Sequence, residues 1–124
     1  MNKKILVVDD DLYLRELYEE ILKNAGYEVD TAIDGEEGTT KLTQGGYDLI
    51  LLDMMMPKID GLGVLTKLSQ TQPAIKNGPV ILLTNLGHEP VIREALQKGA
   101  VTYIIKADTT PDQLLSEVKK YIVE

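Results

Sequence analysis

No cysteine occurs anywhere in the 124 residues. A disulfide framework, a thiolate nucleophile and a cysteine-built metal site are therefore excluded, and the absence fits a reducing cytoplasm. Histidine occurs once, as His88. It stands before a helical segment with no ligand partner in view, so its side chain is expected to be solvent-exposed. No apolar run approaches the length of a membrane span. The start, Met1-Asn2-Lys3-Lys4, is positive like the head of a secretory leader. The apolar run behind it covers only residues 5–8 before three aspartates, too short for a signal core. Internal repeats, low-complexity tracts and linkers are lacking as well. Basic residues are the minority, 13 against 20 acids, for a formal net charge of −7. Nucleic-acid binding needs a basic patch or stripe, so none is expected of this chain. The acid surplus fits a site that holds a divalent cation, although solubility alone accounts for most of the charges.

What is present is an alternation of two kinds of segment. With 44% apolar residues, a chain of this length is expected to form one domain that buries a core without staples. Residues 5–8, 27–32, 49–52, 80–83 and 101–105 read as strands. Four of them are nearly all Val, Ile and Leu, the pattern of parallel strands covered on both faces. The second, Y-E-V-D-T-A, alternates and reads as an edge strand. Between them, Leu14, Leu17, Tyr18, Ile21, Leu22 and Ala25 recur at helical spacing, with Gly26 as a stop. Leu62, Leu65 and Leu68 mark another helix, with Asp60 as its N-cap. Val91, Ile92, Ala95 and Leu96 mark a third, ended by Gly99. Thr110-Pro111-Asp112-Gln113 is a capping box with proline at the first helical position. The segment after Asp34 carries poor helix formers, Gly38, Thr39 and Thr40. It reads as a helix because a parallel connection needs a crossover. The expectation is an α/β fold, a (βα)5 doubly wound sheet, with residues 1–124 as one domain and no output domain in this chain. Residues 70–78 form the longest loop.

In an open α/β sheet the ligand crevice lies at the carboxyl ends of the strands. The first strand ends in Asp9-Asp10-Asp11, the third in Asp53, the fourth in Thr84 and the fifth before Lys106. Acids, a hydroxyl and a primary amine thus converge on one rim. Packed like charges need a counter-charge, and magnesium takes a few carboxylates while keeping waters and a phosphate oxygen. A carboxylate beside such an ion can attack a phosphoryl group and form an aspartyl phosphate. Phosphoryl transfer is mostly positioning and charge neutralisation, which a lysine and a hydroxyl complete.

Four stretches carry a resemblance: I-L-V-V-D-D at 5–10, L-L-D-M-M-M-P-K-I-D-G at 51–61, L-L-T-N at 82–85 and Y-I-I-K at 103–106. Together they resemble the response-regulator receiver domains of two-component signalling, the CheY-like family, over the whole chain. That resemblance implies a flavodoxin-like strand order 2-1-3-4-5 in a three-layer αβα arrangement. It implies Asp53 as phosphoacceptor. It assigns magnesium to Asp9, Asp10, Asp53 and the backbone carbonyl of Met55. Thr84 matches the switch hydroxyl, Lys106 the lysine that bridges to the phosphoryl group, and Tyr103 the aromatic that turns inward. Pro57 and Gly61 match the turn after the phosphoacceptor strand. Met54 and Met56 read as apolar packing. Met55 and Leu86 match the two positions that flank the water's approach in dephosphorylation, and both are apolar here, which implies slow decay. The implied partners are a sensor histidine kinase or histidine phosphotransfer protein and a downstream protein target, with no membrane and a cytoplasmic location. The implied activity is that of a phosphorelay switch, catalysing only its own phosphorylation and dephosphorylation.

Three departures stand out. Ala107 replaces the proline that usually follows the lysine, so a trans Lys106–Ala107 bond is expected. Asn85 replaces a smaller residue after the switch threonine, and the helix after Asp34 lacks the usual Ala-Leu pair. Two other readings remain open. One is a receiver-like interaction module that works without phosphorylation. The other is a haloacid-dehalogenase-type phosphatase with Asp9 as nucleophile, which leaves Asp53 unexplained. A flavodoxin fits less well, because its flavin phosphate would face three aspartates.

Overall fold

The computed structural model describes residues 2–85 and 89–122. His88 and Leu86 lie outside the described residues. The elements run β1 Lys4–Val8, α1 Leu12–Asn24, β2 Glu28–Ala32, α2 Gly35–Gln44, β3 Leu49–Asp53, α3 Gly61–Gln70, β4 Val80–Thr84, α4 Glu89–Gln97, β5 Ala100–Ile105 and α5 Pro111–Tyr121. A single 3₁₀ turn, Lys106–Asp108, precedes α5. The five strands are parallel in the order β2-β1-β3-β4-β5.

Side chains alternate across a strand, so each central strand feeds two cores. Leu6, Val8, Ile50, Leu52, Val80 and Leu82 point to one face and pack with Leu42 of α2, Val64 and Leu65 of α3 and Ala95 of α4. Ile5, Val7, Leu49, Leu51, Ile81 and Leu83 point to the other, against Tyr18 and Leu22 of α1 and Leu114 and Val118 of α5. Each fully buried Leu or Ile is worth roughly 1.5–3 kcal/mol over leaving it exposed. This double cover explains the unbroken apolar runs of β1, β3 and β4.

α2 forms despite its composition, and its neighbours show why. Asp34 caps it by accepting from the Glu37 N–H at 2.8 Å, and the Glu37 side chain reaches back to the Ile33 N–H at 2.8 Å. Thr39, Thr40 and Thr43 turn their hydroxyls onto the carbonyls four residues back, leaving no competing turn to form. A Cβ on Gly38 would come within 2.8 Å of Val8 Cγ1, so the helix lies closer to β1 than any larger residue allows.

Two expectations are corrected. β5 is not covered on both faces: it is the second sheet edge, with Val101 and Tyr103 each 41% exposed. Leu96 does not belong to the buried stripe of α4, which consists of Ile92 and Ala95. The loop after α3 is pinned through backbone bonds from Ala74 to Thr43 and from Ile75 to Gln44, and Asn77 spans the Leu42 carbonyl and the Tyr47 N–H. Among the described residues no helix is long and apolar enough to cross a membrane.

Candidate functional site

The strand register brings the predicted residues together. Val8 lies beside Leu52, Asp53 beside Leu83 and Thr84 beside Ile105, so Asp9, Asp53, Thr84 and Lys106 occupy neighbouring strand ends. The Met54 N–H continues the ladder past Asp53 by donating to the Leu83 carbonyl at 2.8 Å. The carboxylate is therefore held by regular strand up to and beyond its own position.

The turn behind it depends on glycine. The Gly61 N–H donates to the Met54 carbonyl at 2.9 Å, and a Cβ there would fall 2.7 Å from the Asp53 carbonyl oxygen. Asp60 caps α3 by accepting from the Gly63 N–H at 2.8 Å. Earlier in the same turn Lys58 adopts a left-handed φ of 68°, which costs a non-glycine residue on the order of 1 kcal/mol. Its ammonium lies 3.4 Å from Asp34, a carboxylate on the adjacent rim.

The centre is a lysine shared by two carboxylates. Lys106 Nζ lies 2.9 Å from Asp9 Oδ2 and 3.1 Å from Asp53 Oδ1, and all three side chains are nearly sealed from solvent. Asp10, which is exposed, brings a third carboxylate, and oxygens of Asp9, Asp10 and Asp53 lie within 4.8 Å of one another. Asp9 is also fixed from behind. Its Oδ1 accepts from the Asp11 N–H at 3.0 Å, and its carbonyl accepts from the Arg15 guanidinium at 2.9 Å. Its Oδ2 is buried and, beyond its charge contact with Lys106, has no hydrogen-bond partner. Asp11 is no part of the centre: it caps α1 by accepting from the Leu14 N–H at 3.1 Å.

One ammonium does not balance this much negative charge. Burial, and next the Asp9 carboxylate, push Asp53 up to about 7, against the pull of Lys106. Burial works against the Lys106 charge, but Asp9 and Asp53 outweigh it and hold that lysine above its ordinary value. The arrangement therefore lacks positive charge, and the buried Asp9 Oδ2 has the Lys106 ammonium as its one partner. Three hard carboxylate oxygens with only one ammonium between them suit an oxygen-seeking divalent cation such as magnesium.

The remaining predicted residues fall around this centre. Thr84 is buried at the end of β4, and Tyr103 lies outward on the β5 edge. Met54 is buried, Met56 packs on the core, and Met55 is 69% exposed over the rim. The peptide bonds among the described residues, including Lys106–Ala107, are trans. The sequence reading missed Arg15, whose place one turn into α1, on the rim side, was the only available signal. It also missed a second lysine–carboxylate cluster at the β2 edge, where Lys41 and Tyr47 hold Asp30.

A family model described as "Response regulator receiver domain" matches residues 5–119. The chain is 40% identical over 106 residues to chemotaxis protein CheY of Treponema pallidum, covering 83% of this chain and 72% of that one. It is 34% identical to sporulation initiation phosphotransferase F of Bacillus subtilis, over 98% of this chain and 95% of the relative. It spans 46 to 48% of several transcriptional regulators that it also matches. Among solved structures, response regulator TrrA of Thermotoga maritima, in complex with Mg(2+)-BeF, is 39% identical with a TM-score of 0.82, over 97% of this chain and 99% of that one.

Proposed function

The chain belongs to the response regulator receiver domain family, the phosphoacceptor switches of two-component signalling, and on that premise we propose that Asp53 is its phosphoacceptor. The observation that carries this reading is the sharing of one buried lysine between Asp9 and Asp53 at adjacent strand ends. Asp53 ends β3, which lies between β1, carrying Asp9, and β4, with Lys106 following β5 one strand farther on.

In the transfer, an Asp53 carboxylate oxygen forms the new bond to phosphorus. The donor's bond to phosphorus breaks, and the leaving group departs with that electron pair. Only ionised Asp53 can attack, so burial of the group ties reactivity to counter-charge. Lys106 supplies one positive charge and a hydrogen-bond donor, and it can follow a phosphoryl oxygen with little movement. Thr84 donates its hydroxyl to a second phosphoryl oxygen. Asp9, Asp10, Asp53 and the Met55 carbonyl would hold magnesium, in keeping with the magnesium complex of the Thermotoga relative. When bound, the ion supplies charge neutralisation for the transferred group. Movement of Thr84 toward the phosphoryl group leaves space that Tyr103 fills from its outward position, a shift between two packings of one fold.

We read residues 1–124 as one receiver unit in the cytoplasm, catalysing only its own phosphorylation and dephosphorylation. Its donor is a sensor histidine kinase or histidine phosphotransfer protein, and its output is altered binding of a downstream protein. Acetyl phosphate with magnesium should add one phosphoryl mass to the wild type and none to Asp53→Asn or to chelated protein. Labelling of a β1 peptide would instead favour a phosphatase with Asp9 as nucleophile. No labelling under any condition would favour a module that works without phosphorylation. Met55, exposed two residues past Asp53, has no group to orient a water, so Met55→Asn should speed loss of the phosphoryl group by about tenfold. An unchanged half-life would remove Met55 from rate control; Leu86, its expected companion, lies outside the described residues.

A further inference from the structure

At the end of the sheet opposite Asp53, the C-terminal half of α3, the loop before β4 and the turn between α4 and β5 flank an open pocket of about 270 Å³. Leu65, Leu68, Pro73 and Val80 give it an apolar floor, and Lys76 and Lys98 stand in its lining. The chain carries seven more acids than bases, yet no carboxylate lines this pocket. Neither lysine has an ion-pair partner among the described residues. The other polar groups here are already committed. Asn77 bridges the Leu42 carbonyl and the Tyr47 N–H, the Gly78 N–H donates to the Tyr47 carbonyl at 2.7 Å, and the Ser69 hydroxyl donates to the Thr66 carbonyl. What the pocket can still offer is apolar surface and two positive charges.

We propose that this pocket binds a small amphipathic carboxylate, its hydrocarbon body on Leu65, Leu68, Pro73 and Val80 and its anionic head between Lys76 and Lys98. Small-molecule sites are typically concave and apolar with a few polar groups that set orientation, and this one has that make-up at a size slightly below the usual range. Its volume suits a ligand of about ten non-hydrogen atoms. The neighbouring groove of about 300 Å³ also carries two lysines, Lys3 and Lys76, but it contains Asp48, which repels the same head group. Lys98 alone would be explained by its position just past α4, where a cation meets the negative end of the helix. That account leaves Lys76 unexplained, since it lies in the loop before β4 and ends no helix.

The test is titration of the full chain with octanoate, followed by backbone amide shifts. Saturable shifts centred on Lys76, Gly78, Val80, Lys98 and Gly99 are expected, with a dissociation constant on the order of 1 mM for so small a ligand. Octylammonium, which has the same tail and the opposite charge, should give no saturable shift. In Lys76→Glu with Lys98→Glu the octanoate constant should rise about tenfold or more. If that variant fails to fold, the single changes Lys76→Gln and Lys98→Gln should each weaken binding about threefold. Shifts that do not saturate, shifts scattered over the surface, or equal binding of octylammonium would overturn the proposal. So would lysine variants that fold and bind octanoate as the wild type does.

Discussion

Two lysine–carboxylate clusters sit on this sheet, and they behave in opposite ways. At the β2 edge Asp30 accepts from the Tyr47 hydroxyl at 2.7 Å, the Lys41 ammonium at 3.0 Å and the Thr31 N–H at 2.9 Å. Lys41 spends a further donor on the Thr31 carbonyl. Burial alone would raise the Asp30 pKa, but Tyr47 and Lys41 outweigh it and hold that acid below its ordinary value. At the carboxyl ends of the strands, two buried acids share one lysine, and Asp53 is pushed up to about 7. Both clusters pair a lysine with aspartate, but the first adds a tyrosine and the second a further acid. The difference lies in burial and company: Asp53 is sealed in beside a second acid, whereas Asp30 is partly exposed and accepts from three donors. A carboxylate with its full set of partners holds the fold together, whereas one with a deficit is ready to receive something from outside.

Removing each lysine is the strongest way to break that comparison. Lys106→Met leaves two buried acids with no counter-charge and should lower stability by about 3 kcal/mol near neutral pH without divalent ions. Lys41→Met leaves a partly exposed acid that keeps two donors and should lower it by about 1 kcal/mol. Urea unfolding of both variants measures the pair. Equal losses would mean that the two clusters are of one kind.

Neutralising the acids should produce changes of opposite sign. Asp53→Asn removes a charge that its surroundings disfavour. It should raise stability by about 1–2 kcal/mol at about pH 8 without magnesium. Asp30→Asn removes an acceptor that its surroundings favour and should lower stability by about 1 kcal/mol. The folded pKa of Asp53 lies above the unfolded value of about 4, so its contribution is complete below pH 4 and is lost as pH rises through 7. Wild type should therefore lose stability across that window while Asp53→Asn does not. Magnesium at about thirty times its dissociation constant should restore about 2 kcal/mol to wild type and little to the variant. A variant no more stable than wild type at the alkaline end would show that Lys106 already balances the site.

The contrast between the clusters also marks what could be read from the sequence. Asp9, Asp53, Thr84 and Lys106 were legible because each ends a strand, and strand ends share a rim whatever the details of packing. The Asp30 cluster was not, because it joins residues 11 and 17 positions apart through side chains alone. The burial of Asp9 beside exposed Asp10 was not visible either, since two adjacent aspartates look alike until the strand turns one of them inward. α2 was legible only through topology. Its glycines and threonines make sense once Val8 lies beneath Gly38 and the hydroxyls find carbonyls within the helix. The exposed face of β5 escaped notice because Val101 and Tyr103 suit an edge strand as well as a buried one.

The smallest effect tests whether Asp30 is as fully satisfied as its contacts indicate. Tyr47→Phe keeps the ring and removes one hydrogen bond, so it should lower stability by about 0.5–1.5 kcal/mol around neutral pH. Because the folded pKa of Asp30 is depressed, that contribution is complete above the unfolded value of about 4 and disappears as pH falls through the lower folded value. Tyr47 adds an alkaline limit. Burial, and then Asp30, raise its pKa, so the advantage of the neutral hydroxyl is complete below about pH 10 and is lost as pH rises toward the folded value. The difference between wild type and Tyr47→Phe should thus be a plateau with two falling edges. The Asp53 cluster has no such plateau, because its acid titrates upward into the neutral range. Unfolding midpoints for the two proteins across the pH scale decide the matter. A difference that persists unchanged at pH 2 would mean that the Tyr47 hydroxyl stabilises the fold without the ionised Asp30 carboxylate.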